Sequence, residues 1–124
     1  MSTRAVYSFT GFPGQPDCHL YLHHDGYPTG AAWRFARTLQ AGGDLDTFAL
    51  TFLSNQPKAE PLARPEQAAD AEYRYLVQRL GRSQPRLQVQ CWRRIPGNSR
   101  WYPRCTPINL SAFIQRFLPG ELPC

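Results

Sequence analysis

Two stretches of this chain alternate between apolar and polar residues, and that alternation limits the fold more than any other feature. In one, Cys18, Leu20 and Leu22 point one way, and His19, Tyr21 and His23 point the other. In the second, Leu87, Val89 and Cys91 alternate with Gln88, Gln90 and Trp92. A period of two with one apolar side describes a strand that buries a single face. Residues 4–10 and 71–80 supply two more strands, rich in β-branched and aromatic side chains. In the latter, Tyr73, Tyr75 and Val77 alternate with Arg74, Leu76 and Gln78.

The buried face needs a cover, and the remaining segments supply it at helical spacing. A helix is predicted from about Thr29 to Ala41, with Ala32, Phe35, Ala36 and Leu39 in one stripe and Gly42-Gly43 as its stop. Asp44 is a good N-cap for a second helix, striped by Leu45, Phe48, Ala49, Phe52 and Leu53 and ended by Gln56-Pro57. Asn109 caps a last helix carrying Leu110, Phe113, Ile114 and Phe117. Residues 57–70, with Pro57, Pro61 and Pro65, read as a surface connection holding a short helical turn from Glu66 to Ala69. Trp101-Tyr102 reads as a short edge strand, because Pro103 is excluded from a sheet centre. The order β-β-α-α-β-β-(β)-α predicts an α+β fold. Its sheet is a four- or five-stranded antiparallel sheet with helices packed on one face. At 124 residues, the chain is expected to form a single domain over 1–124.

Composition bounds the function. Net charge is +5, and thirteen of the fourteen basic residues are Arg, Lys58 being the exception. That balance excludes an acidic, nucleic-acid-mimicking surface. No apolar run approaches the roughly 18 residues of a membrane helix. The N-terminal Met1-Ser2-Thr3-Arg4 lacks the apolar region of a signal peptide. The four cysteines, Cys18, Cys91, Cys105 and Cys124, form no C-x-x-C pair. Together these predict a cytoplasmic protein with free structural thiols and no cofactor.

The densest run of unusual chemistry is His23-His24-Asp25-Gly26-Tyr27-Pro28-Thr29-Gly30, at the end of a strand and the start of a helix. With Leu20 to Leu22 before it and Ala31-Ala32 after it, this run resembles the H-x-D-G-Y-P-x-G segment of small uncharacterised proteins borne by phages and plasmids. Glu72-Tyr73-Arg74-Tyr75 is similar to a later strand of those proteins, and Ile108 to Ile114 to their final helix. The resemblance implies a mobile-element context and supplies no mechanism.

Three readings of the motif compete. The first is a structural turn: Asp25-Gly26 reverses the chain, Pro28 sets the start of the helix, and Gly30 lets the helix approach the sheet. The second is a metal-dependent hydrolase centred on His23 and Asp25. These lie two apart on one strand face, roughly 6.6 Å along the strand, whereas His19 lies roughly 13 Å from His23. A hydrolytic metal site takes three protein ligands, and the sequence offers no distant His to complete one. The third is a recognition surface. His19, Tyr21 and His23 project from one strand, Arg74 and Gln78 from another, and Arg86, Gln88, Gln90, Trp92 and Arg94 from a third. The run from Arg93 to Arg104 adds Arg100 and Trp101.

Arg and large aromatics are the residues that binding hot spots use. The favoured expectation is therefore non-covalent protein–protein interaction with a host protein or protein complex. An inhibitor of a host defence complex (anti-CRISPR-like) is one concrete version, drawn from the resemblance. The candidate contacts are His19, Tyr21, His23, Asp25, Tyr27, Trp92, Arg94, Arg100 and Trp101. A nucleic-acid-binding module using the same basic, aromatic sheet face is the alternative.

Overall fold

A computed structural model of the chain describes residues 3–95 and 97–118. Their strands are β1 (Ala5–Thr10), β2 (Cys18–Leu22), β3 (Glu60–Leu62), β4 (Tyr73–Leu80), β5 (Arg86–Arg93) and β6 (Tyr102–Asn109). Their α-helices are α1 (Pro28–Gln40), α2 (Phe48–Ser54) and α3 (Leu110–Phe117). The fold is α+β, as the pattern predicts, but the sheet is larger than predicted and mixed. Six strands lie in the order β3-β2-β1-β4-β5-β6. The central pair β1–β4 is parallel, and the other pairs are antiparallel.

Both additional pieces of sheet are edges. β3 falls inside the Pro-rich connection and carries Pro61; β6 continues from Tyr102 through Pro103 and Pro107. Proline lacks the N–H that a central strand must donate, and at an edge it blunts further pairing. The parallel centre follows from where β3 sits. It pairs with β2 on one edge, so the chain must then cross to the far side of β1 to begin β4. The crossing segment, 63–72, passes over the sheet face opposite the helices. There Ala68 and Ala71 pack on Val6 and Tyr21, with Leu62 and Trp101 beside them. The expected helical turn in this segment is a 3-10 turn at Pro65–Gln67.

On the other face the expected register holds. Tyr7, Phe9, Leu20, Tyr75, Val77, Val89 and Cys91 face the helices and are buried. Phe35, Phe52 and Phe113 close over them, and Tyr7 stacks on Tyr75 with ring centroids 4.9 Å apart. Each such ring contributes about 2–3 kcal/mol by leaving water. Asp44 is a cap, but of a 3-10 turn at Leu45–Thr47 that precedes α2, its side chain accepting from the Thr47 N–H, so Leu45 falls outside the α-helix; Asn109 caps α3 as expected through the Ser111 N–H. Leu39 and Leu53 depart from their predicted stripes: each lies in the last turn of its helix, 42% and 40% exposed. In α1 Thr38 takes the buried place in that turn, its hydroxyl donating to the Arg34 carbonyl. No described helix is long and apolar enough to cross a membrane.

Candidate functional site

The His23–Gly30 run is held by backbone geometry first. Asp25 adopts φ 54°, the left-handed region, and turns the chain out of β2. The Gly26 N–H then donates to the Thr3 carbonyl at 2.9 Å, and the Gly26 carbonyl accepts from the buried Tyr75 hydroxyl at 2.5 Å. A Cβ on Gly30 would lie 2.0 Å from the Asp25 carbonyl oxygen, so the first turn of α1 reaches the loop only because that residue is glycine. Arg34, one turn further along α1, completes the fastening. Its Nη2 donates to the His24 carbonyl at 2.6 Å, and its Nη1 to the Asp25 carbonyl at 2.8 Å and the Tyr7 hydroxyl at 3.1 Å. Burial pushes the Tyr7 phenol up to about 12, against the opposing pull of Arg34.

The histidines and Asp25 do not converge. His19 Nδ1 meets the Ser8 hydroxyl at 2.7 Å on the outer sheet face. His23 Nε2 lies 3.7 Å from Glu60, and its ring packs 4.3 Å from that of Tyr21. Asp25 accepts from the Tyr27 hydroxyl at 3.0 Å. Among the described residues no group of three or more His, Cys, Asp or Glu side chains could hold a metal ion.

The outer sheet face carries two kinds of surface. At its lower end, Tyr21 is buried beneath the crossing segment and donates to Asp70, which is also paired with Arg4 at 3.4 Å. Arg94 faces outward by register, as expected, yet its guanidinium is consumed locally. It donates to the carbonyls of Ala71 (2.8 Å), Ala68 (3.0 Å) and Ala69 (2.6 Å), and it lies 4.4 Å over the Trp101 ring. Arg94 and Trp101 therefore staple the crossing segment to the sheet. Arg100 is exposed, 5.2 Å over the Tyr102 ring.

Beside this staple stands the most distinctive group on the face. The Arg74 guanidinium lies 6.0 Å from the Trp92 ring and 5.9 Å from the Trp101 ring. Burial lowers its pKa, with Glu66 acting in the opposite direction. No hydrogen bond or ion pair engages the Arg74 guanidinium among the described residues. None of its nitrogens is buried without a partner, so solvent reaches the unused donors. Beyond it the rows of β1, β4 and β5 present Ser8, Leu76, Gln78, Gln88 and Gln90, and the β5 row then ends on the exposed Arg86, opposite Leu80.

A second concavity lies on the helix side. It measures about 860 Å³ and is bounded by the first turns of α1 and the ends of α2 and α3. Asp25, Tyr27, Trp33, Arg34, Arg37 and Gln56 line it. Of the nine expected contacts only Asp25 and Tyr27 reach this cleft, while Trp92 and Trp101 share the Arg74 cluster. The sequence places Arg74 on the outer face, and Arg34 and Arg37 on the helix faces away from the apolar stripe, without marking any of them as a contact, and Trp33 goes unmarked too. The available signal was a Trp at a polar position of an amphipathic helix, four residues before an Arg. No protein family matches the chain, and neither does any curated protein or solved structure.

Proposed function

We propose that this chain is a non-covalent binding protein that docks a protein partner against the outer sheet face over β4 and β5, with Arg74 as its charged anchor. The carrying observation is the half-buried Arg74 guanidinium beside both Trp92 and Trp101, with no hydrogen-bond partner among the described residues and none of its nitrogens sealed from solvent. Flanking indoles limit the room the fork has to move, which lowers the rotamer entropy lost when a carboxylate accepts two of its N–H groups. The partner surface therefore offers an Asp or Glu to Arg74 and a flat, uncharged strip to Leu76, Gln78, Gln88 and Gln90. Between Arg74 and Arg86, which close the row at its two ends, these positions carry no cation, and that favours protein over nucleic acid, because tracking a phosphate backbone takes cations along the path. The resemblance to mobile-element proteins suggests a host protein as the partner, with inhibition of a defence complex as one version.

Affinity capture with the wild-type chain and with Arg74→Gln and Trp92→Ala tests this reading. One partner retained by wild type and lost by both variants, each with wild-type circular dichroism, is the expected result. Equal retention by both variants refutes the outer face as the interface. Retention that requires nucleic acid and weakens steeply with salt replaces the protein partner by the alternative reading.

A further inference from the structure

The cleft on the helix side is separate from the outer face, and its chemistry is different. Trp33 is 48% exposed and Tyr27 44% exposed, both lining the same concavity. Large rings left in water at one concave place mark a binding site more often than chance surface. Two cations of α1 accompany them. Arg37 lies 5.4 Å over the Trp33 ring, and Arg34 is locked by its bonds to His24, Asp25 and Tyr7. Among the lining residues these two cations face one carboxylate, Asp25, which is already bonded to Tyr27. The amides of Asn55 and Gln56 complete the wall, at the end of α2. The volume, about 860 Å³, lies within the range of small-molecule sites. A smaller concavity of about 320 Å³ shares Arg34 and Gln56 and brings Lys58 to the same side.

Rings for stacking, fixed guanidinium groups for an anion and amides for a heteroatom edge are together what a nucleoside phosphate requires. We propose that this cleft binds a nucleoside monophosphate, its base stacked on Trp33 against Asn55 and Gln56 and its phosphate held by Arg34 and Arg37. The turn takes three of the five N–H groups of Arg34, both on Nη1 and one on Nη2, so it serves the phosphate through the two that remain and through its charge, while Arg37 supplies the exposed fork. Arg37 and Trp33 are exposed, so neither is required for folding.

Isothermal titration of the wild-type chain with AMP, CMP, GMP and UMP in turn tests the site, with adenosine and inorganic phosphate as the part-ligands. Saturable binding of at least one nucleotide, with Kd below about 1 mM, is expected. Trp33→Ala and Arg37→Ala should each weaken it by about tenfold or more while keeping the wild-type melting temperature. Adenosine and phosphate alone should each bind more weakly than the preferred nucleotide. Absence of saturable binding by all four nucleotides overturns the proposal. So does wild-type affinity in either variant, or phosphate binding as tightly as the nucleotide. None of these outcomes depends on Arg74, Trp92 or the protein partner, so the two sites stand or fall separately.

Discussion

Arg34 holds the backbone of Asp25 in place: its Nη1 donates to the Asp25 carbonyl at 2.8 Å, across nine residues of chain. The same guanidinium takes the neighbouring His24 carbonyl and the Tyr7 hydroxyl, so one side chain of α1 joins the turn to the aromatic core. Removing it leaves three groups to find water. Arg34→Ala should cost about 2 kcal/mol, and Arg34→Lys nearly as much, because an ammonium cannot span both carbonyls as a fork does. Urea denaturation midpoints check this; a Lys variant as stable as wild type contradicts the forked geometry.

Gly30 makes a sharper prediction. Its missing Cβ leaves room for the Asp25 carbonyl oxygen, which would otherwise lie at 2.0 Å. Both the helix and the turn would have to shift. Gly30→Ala should destabilise by at least about 3 kcal/mol, against the small gain that Ala brings to an ordinary helix position. Thermal denaturation measures the sign directly, and a stabilised variant contradicts the close approach.

Arg94 is expected to matter for the crossing segment. It donates to three carbonyls at 68, 69 and 71, where the chain passes from the β3 edge towards β4. Arg94→Gln should speed amide hydrogen exchange through residues 63–72 and cost about 2 kcal/mol in global stability. Unchanged exchange in that segment, measured by mass spectrometry, argues against the staple.

Alkaline pH should destabilise the fold. Burial raises the Tyr7 pKa from 10.0 to about 12 and pushes Tyr75 well above its ordinary value. The Cys91 thiol is raised from 9.0 to about 12, again mainly by burial. A group whose folded pKa is raised adds stability that is full below its unfolded pKa and lost as pH climbs through the folded one. For Tyr7 that window runs from 10 to about 12 and is worth about 3 kcal/mol. Denaturation midpoints should hold to about pH 9 and fall steeply by pH 11; a flat profile through pH 11 contradicts the buried phenols.

The parts of the fold that were legible in the sequence are those that one chain segment settles alone. The facing of Leu20 against His19, or of Val89 against Gln90, follows from a buried strand face, and Asn109 caps the helix that its side chain announces, whereas Asp44 caps only the 3-10 turn leading into α2. β3 and β6 were not legible as full strands, because an edge strand lacks the alternating burial that marks a central one, and Pro61, Pro103 and Pro107 look like breakers. The parallel β1–β4 pair was hidden for a different reason. It depends on which edge β3 takes, a choice made between distant segments. The candidate sites divide the same way. Register alone puts Arg74 and Trp92 on one face, but it cannot distinguish a guanidinium aimed at its own backbone, as in Arg94, from one left open, as in Arg74. The cleft needed three elements brought together, so only Asp25 and Tyr27 were in view.

The central claim is that the partner lies on the outer sheet face. Photo-crosslinking tests it most directly, with a photoreactive residue at Gln90 on that face and, as a control, at Leu50, which is 53% exposed on α2. The account predicts a partner crosslinked from position 90, not from position 50, and lost when Arg74→Gln is added. Crosslinking from position 50 alone, or from position 90 unaffected by Arg74→Gln, would contradict it.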